Sequence, residues 1–248
     1  GAEIDAGSGS SGSGGFVAAD AGSQLTNNGT ISVSGDWDGN SYIGSSEVDF
    51  IDGNKSLSNY TTSKPVIINP GVEINGEINL TAPRIITGGA KLRAGTSDIN
   101  LTADQSDQNK DGIAGIYLHN TYLEGNNIKI EANSNFQSNS LLGIIFKRSG
   151  AEIDIKSSDL EAGGDLTLNS SSRLESSVST PDLAKLSETT GVDAAVAISH
   201  LESKSVVRIG GAAGASSNLK VNGNIDLKAE NDTIVSSIAD ASGSNNNK

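Results

Sequence analysis

The chain has 248 residues, of which 30 are Gly, only 4% are aromatic and none is Cys, and its net charge is -13. Without Cys there is no disulfide framework and no thiolate-held zinc or iron–sulfur centre, and the acidic balance argues against a nucleic-acid groove, which needs clustered Lys and Arg. No apolar run approaches the ~18 residues of a membrane-spanning helix; the chain opens on Gly1 without a basic-plus-apolar leader, and reads as a piece of a longer or processed protein.

Abundant Ser, Asn and Gly with few aromatics is also the composition of disordered chains. The apolar residues, 35% of the total, argue for a core. They are mostly Ile, Leu, Val and Ala, and they come in short alternating clusters of period two, the mark of strands. In chain order these clusters cover 30–34, 65–68, 72–74, 77–80, 84–86, 98–101, 115–118, 127–130, 142–146 and 152–155. They continue over 165–168, 195–198, 206–209, 219–221, 225–227 and 233–235. Asn75-Gly76, Asp111-Gly112 and Asn222-Gly223 are among the turn dipeptides between them. Two apolar residues per strand are too few for a sandwich strand, and suit short strands stacked on equivalents above and below.

Internal similarity supports stacking. Gly76-Glu77-Ile78-Asn79-Leu80-Thr81-Ala82 returns as Ser97-Asp98-Ile99-Asn100-Leu101-Thr102-Ala103, then in the segments 126–132, 164–170 and 223–229. The copies start 21, 29, 38 and 59 residues apart, so the longer steps carry inserted loops or further coils. Gly1-Ala2-Glu3-Ile4-Asp5 also recurs as Gly150-Ala151-Glu152-Ile153-Asp154.

The expected fold is therefore all-β: a right-handed parallel β-helix, or β-solenoid, with irregular coils and one short helix or loop near 180–190. Each strand pairs with its equivalent in the next coil about 4.8 Å away. Ile, Leu and Val point into the bore, and the polar residues between them face water. At roughly 20–30 residues per coil, the chain gives about ten coils and a rod on the order of 50 Å long, with unpaired strands at both ends. The helix signal is Thr180-Pro181-Asp182 followed by Leu183 and Leu186, with Gly191 to end it. Residues 1–248 read as a single solenoid fragment. It divides into irregular coils over 1–178, a helical or loop insertion over 179–191, and further coils over 192–248.

Gly14-Gly15-Phe16-Val17, with Leu25-Thr26-Asn27-Asn28-Gly29-Thr30-Ile31-Ser32-Val33-Ser34-Gly35, resembles the coils of filamentous-haemagglutinin-type exoproteins. The rear half, from Gly163-Gly164-Asp165-Leu166-Thr167-Leu168 to Arg208-Ile209-Gly210, is similar to the repeats of giant bacterial surface adhesins. The resemblance is one of style over most of the chain. It implies a β-helix displayed outside a Gram-negative cell, acting in adhesion or matrix formation. That family's secretion module carries Asn-Pro-Asn-Gly, whereas this chain has only Asn69-Pro70-Gly71, so no secretion-signal role is assigned.

Candidate chemistry is sparse. Asp107-Gln108-Asn109-Lys110-Asp111-Gly112 begins as a calcium loop does, with alternating oxygen donors before a Gly. Asp107, Asn109 and Asp111 are the candidate ligands. The twelfth position is Leu118, where an EF-hand places Glu, so the site needs a carboxylate from another coil; the competing reading is a polar turn. Trp37, flanked by Asp36 and Asp38, suits a sugar ring or packing over a coil. Polysaccharide-cleaving β-helices use clustered Asp residues, but here the Asp residues scatter into turns. His119 and His200, the two histidines, read as strand-end surface residues.

The expected function is a structural rod segment of a large secreted adhesin or matrix fibre, without enzymatic activity. Its partners are glycan or protein surfaces of a host, a neighbouring cell or a matrix, with end-to-end or lateral self-association. No nucleic acid, no membrane span in this fragment and no cofactor other than calcium are expected. The alternatives are a polysaccharide-active β-helix enzyme and a calcium-dependent binding module.

Overall fold

The computed structural model describes residues 48–51, 53, 55–105, 112–140, 144–179, 196–210 and 216–239. They form three sheets. Sheet I holds, in order, β1 (Asp49–Ile51), β3 (Val66–Ile68), β6 (Arg84–Gly88), β9 (Gly112–His119), β12 (Ile144–Lys156) and β15 (Ile198–Gly210). Sheet II holds β4 (Glu73–Asn75), β7 (Lys91–Arg93), β10 (Tyr122–Gly125), β13 (Asp159–Ala162) and β16 (Asn218–Val221). Sheet III holds β2 (Tyr60–Thr61), β5 (Ile78–Ala82), β8 (Ile99–Gln105), β11 (Ile128–Ser140), β14 (Leu166–Ser179) and β17 (Ile225–Ile238).

Every pairing is parallel, and each full coil gives one strand to each sheet. The fold is an all-β parallel solenoid, as the repeats predict. Right-handed winding is what the crossover rule for parallel strands prescribes. Among the described residues there is no helix, and the helical or loop insertion expected over 179–191 falls almost wholly outside them.

The repeat alignment read from sequence is the sheet III register. Ile78, Ile99, Ile128, Leu166 and Ile225 stand one above another, as do Leu80, Leu101, Ile130, Leu168 and Leu227. The copies pair directly, so among the described residues no further coil stands between them. The described residues make five full coils after a partial first one, so their six-stranded sheets rise about 24 Å. The added length goes sideways. Sheet III strands grow from 2 to 14 residues and sheet I strands from 3 to 13, while those of sheet II stay at 3 or 4.

The register puts this growth at the ends that connect sheet III to the next sheet I strand. There the two sheets run on beyond the triangular bore and face each other as a two-layer wing. Clusters expected as separate short strands merge: 142–146 with 152–155 in β12, 195–198 with 206–209 in β15, and 225–227 with 233–235 in β17.

The bore and the wing are filled differently. In the bore, Ile85, Leu92, Leu101, Ile116, Leu123, Ile130, Ile153 and Leu160 are fully buried in one apolar cluster. Each such side chain contributes about 1.5–3 kcal/mol on leaving water. Where the wing begins, the inward residues are serines. Ser134 Oγ lies 2.8 Å from Ser149 Oγ, which lies 3.2 Å from Ser172 Oγ, itself 3.2 Å from Ser203 Oγ. Ser170 pairs with Ser205 at 2.8 Å and donates to the Ala151 carbonyl. This hydroxyl seam satisfies polar groups that burial would otherwise penalise. Beyond it Phe136, Ile145, Leu174 and Val178 close an apolar tip.

A second ladder runs outside the bore, in the turns from sheet II to sheet III. Asp98 Oδ1 accepts the Asn127 amide at 3.0 Å, Asn127 Oδ1 accepts the Asp165 amide at 2.9 Å, and Asp165 Oδ1 accepts the Asn224 amide at 2.8 Å. Hydrogen bonds from the Asn127 backbone and from the Asn126 and Asn127 side chains hold the Asp98 carboxyl below its ordinary value. Gly223 is required here for space, because a Cβ would overlap the Asp165 carboxylate and the Gly164 backbone.

Candidate functional site

Among the described strands, the main contacts of sheet I outside itself are with the sheet III strands across the interior. The outward side chains of sheet I were expected to face water. Around Glu152 and Asp154 they are buried instead, the largest departure from the sequence reading, although Phe146 on β12 and His200 and Glu202 on β15 stay exposed. One outward row runs Ile67, Ile86, Tyr117, Asp154, Arg208, and the next runs Arg84, Gly115, Glu152, Val206. Glu152 is 1% and Asp154 2% exposed, and Ile67, Ile86, Arg84 and Tyr117 are buried beside them.

The strands place these groups by alternation alone. Ile153 and Ile155 point into the bore, so Glu152 and Asp154 must point out. Gly115 leaves room for the Tyr117 ring, since any Cβ there would overlap the ring. The phenol donates to Glu152 at 3.3 Å. Arg208 also pairs with Glu152, and Lys204 Nζ stands 3.5 Å from the same carboxylate. Arg84 donates from Nε to the Ile113 carbonyl at 2.9 Å. Asp154 meets Lys156 at 2.8 Å and His119 at 3.8 Å.

Burial and then the negative charge of Glu152 push the Tyr117 phenol well above its ordinary value, so it stays protonated. For Asp154, burial alone would raise the carboxyl. The neighbouring His119 and Lys156 outweigh it and leave the group below the ordinary range. Asp154 is therefore ionised at neutral pH and cannot act as a general acid there. Glu152 faces two cations from the next coil, Arg208 and Lys204, while Asp154 faces Lys156 on its own strand and the His119 imidazole on β9. The cluster is a charge-compensated clamp that ties β6, β9, β12 and β15 together.

Two other features bear on binding. A cavity of about 190 Å³ opens where sheet II turns into sheet III, against Glu124, Glu161, Lys220 and Asn222. Its charges are paired along the sheet: Arg93 with Glu73 at 3.2 Å and with Glu124 at 3.7 Å, and Lys220 with Glu161 at 3.4 Å. The last coil, in contrast, is uncovered. Ile225, Leu227 and Val235 are 49%, 51% and 50% exposed, though Leu166 and Leu168 directly beneath the first two are fully buried.

The calcium candidates Asp107, Asn109 and Asp111 lie between β8 and β9, outside the described residues, as does Trp37. Among the described residues, no group of three or more His, Asp or Glu side chains is arranged to hold a metal, and no helix is long and apolar enough to cross a membrane. His119 ends β9, as expected, beside Asp154. His200 is exposed as expected but sits inside β15, not at its end, near Phe146 and Glu202. Sequence reasoning missed Arg84, Tyr117 and Glu152 as a group. Its only trace is acid–Ile–acid–Ile alternation, which looks the same whether the acids meet water or cations. No family model, curated protein or solved structure matches the chain.

Proposed function

We propose that the chain is a structural rod segment of a large secreted bacterial adhesin or extracellular matrix fibre. Its task is reach and presentation outside the cell, toward a glycan or protein surface of a host, a neighbouring cell or a matrix. The observation that carries this reading is the unbroken sheet III register, in which one repeat unit recurs in five successive coils. Such a stack is lengthened coil by coil without redesign, which is what a spacer needs. The style of the coils, similar to filamentous-haemagglutinin-type exoproteins and giant bacterial adhesins, supports the same class and a Gram-negative outer surface.

The reading includes no catalytic role. The two buried outward carboxylates, Glu152 and Asp154, are held by Arg208, Lys204, Lys156 and His119, an arrangement that serves cohesion. Beads coated with the folded chain test the reading on glycan-, matrix-protein- and cell-coated surfaces. Retention above beads carrying the heat-unfolded chain is expected on at least one surface. Equal retention on all of them counts against an adhesive role.

A further inference from the structure

We infer that the uncovered last coil is the seat of one further parallel coil carrying the same Asx-(Ile/Leu)-x-(Ile/Leu) repeat. The inference rests on the rod reading and assigns its growth to one face. Three observations converge there.

First, exposure is one-sided among the described residues. In the first described coil Ile51 and Leu57 are buried, whereas the large exposed apolar residues lie on the last coil, Phe146 excepted. Second, among the described residues β15, β16 and β17 each keep one edge without a strand partner, and β17 carries its charges, Asp226, Lys228, Glu230 and Asp232, only at outward positions. It has no Pro, and its Lys228 points along the outside to Glu230 at 2.7 Å. Third, both ladders end in mid-pattern. The Asx ladder climbs Asp98, Asn127, Asp165 and stops at Asn224, and the apolar columns stop at Ile225 and Leu227.

The occupant follows from continuity with an interface this chain already makes five times. A parallel coil would set its own Asx amide over Asn224 and its Ile or Leu over Ile225 and Leu227. A second copy related by a two-fold axis would run its strands antiparallel and break both ladders. The face is large enough. Strands of 13 and 14 residues give it a length of about 45 Å, and at a width of roughly 15–20 Å it offers on the order of 800 Å², the share of one partner in a stable interface.

The register supplies the experiment. Ser179 pairs with Ile238. A second copy of residues 180–238, inserted between Ile238 and Ala239, therefore follows Ile238 just as residue 180 follows Ser179. We expect a monomer in which the amides of the native β17 exchange at least about tenfold more slowly than in the natural chain. The same insert with its own Ile225 and Leu227 copies changed to Lys is expected to give no slowing. The inference is overturned if the first insert leaves β17 exchange unchanged or unfolds the chain, or if the Lys-bearing insert protects β17 equally. It is also overturned if the natural chain dimerises and protects β17 in that way. None of these readouts involves attachment, so they separate this face from the adhesion reading.

Discussion

The second and last coils are built on one repeat yet meet different fates. In the second coil, β3, β4 and β5 enclose a small triangle, and Val66, Ile68, Ile78 and Leu80 are fully buried. Below them Asp49 accepts hydrogen bonds from Tyr60 at 2.7 Å and Thr62 at 2.8 Å, which fastens the first coil. In the last coil the same inward positions hold Ile225 and Leu227, half exposed, on strands nearly three times as long. The lesson is that stability in a stack belongs to coil–coil interfaces rather than to coils. A coil covered on both sides gains two interfaces, and an end coil gains one. Lengthening the strands widens the interface but leaves the end open.

Several substitutions sharpen or break that contrast. The largest effect is expected at the apolar column. Leu101→Ala removes a fully buried side chain from the middle of sheet III and should cost about 2–5 kcal/mol in urea unfolding. Leu227→Ala, at the equivalent position of the open coil, should cost less than about 1 kcal/mol. Equal losses would mean that the last coil is covered.

The clamp on sheet I comes next. Glu152→Ala leaves Tyr117, Arg208 and Lys204 without their shared acceptor, and a loss of about 1–3 kcal/mol is expected, since both cations are only half buried. Because the clamp spans β9 to β15, hydrogen exchange should quicken on both strands; a change confined to β12 would contradict the clamp.

Asp154 gives a pH signature. Its folded carboxyl lies below the ordinary value, so the folded state binds its proton less readily than the unfolded chain. The stability it contributes is present above about pH 4 and is lost as the pH falls through the lowered folded value. Asp154→Asn should therefore be less stable than the natural chain at pH 7 and no different in strong acid. A gap that persists in acid would assign the effect to packing instead.

The hydroxyl seam should give the smallest effect. Ser172→Ala takes one link from between Ser149 and Ser203, and both keep another partner, so a loss of about 0.5–1.5 kcal/mol is expected. Exchange should quicken along the wing strands β11, β12 and β14 and stay unchanged in β5 and β6, which lie outside the wing.

Much of the column was legible because sheet III advertises itself. Each of its main strands opens with two apolar residues at alternate positions, and the spacings of 21, 29, 38 and 59 residues equal the coil register. Most of sheet II was not legible. The strands β7, β10 and β13 bury a single large side chain, Leu92, Leu123 or Leu160, between charged or polar neighbours, and one residue makes no alternation. The wing was hidden for another reason. Its inward positions are Ser, which a hydropathy pattern assigns to water, although Ser134, Ser149, Ser170 and Ser172 are buried. The clamp was invisible because an acid facing cations and an acid facing solvent look alike in a strand.

The register itself is the central claim, and the absence of Cys makes it directly testable. Asn100 and Lys129 are outward-facing partners on β8 and β11, and Glu131 lies two residues further along β11. Parallel partners stand within the span a disulfide bridges, whereas a two-residue offset exceeds it. In the otherwise natural chain, Asn100→Cys with Lys129→Cys should oxidise to an intramolecular disulfide with little loss of folded signal. Asn100→Cys with Glu131→Cys should remain largely reduced under the same conditions. Equal oxidation of the two pairs, or preference for the offset pair, would contradict the stacked register and the column built on it.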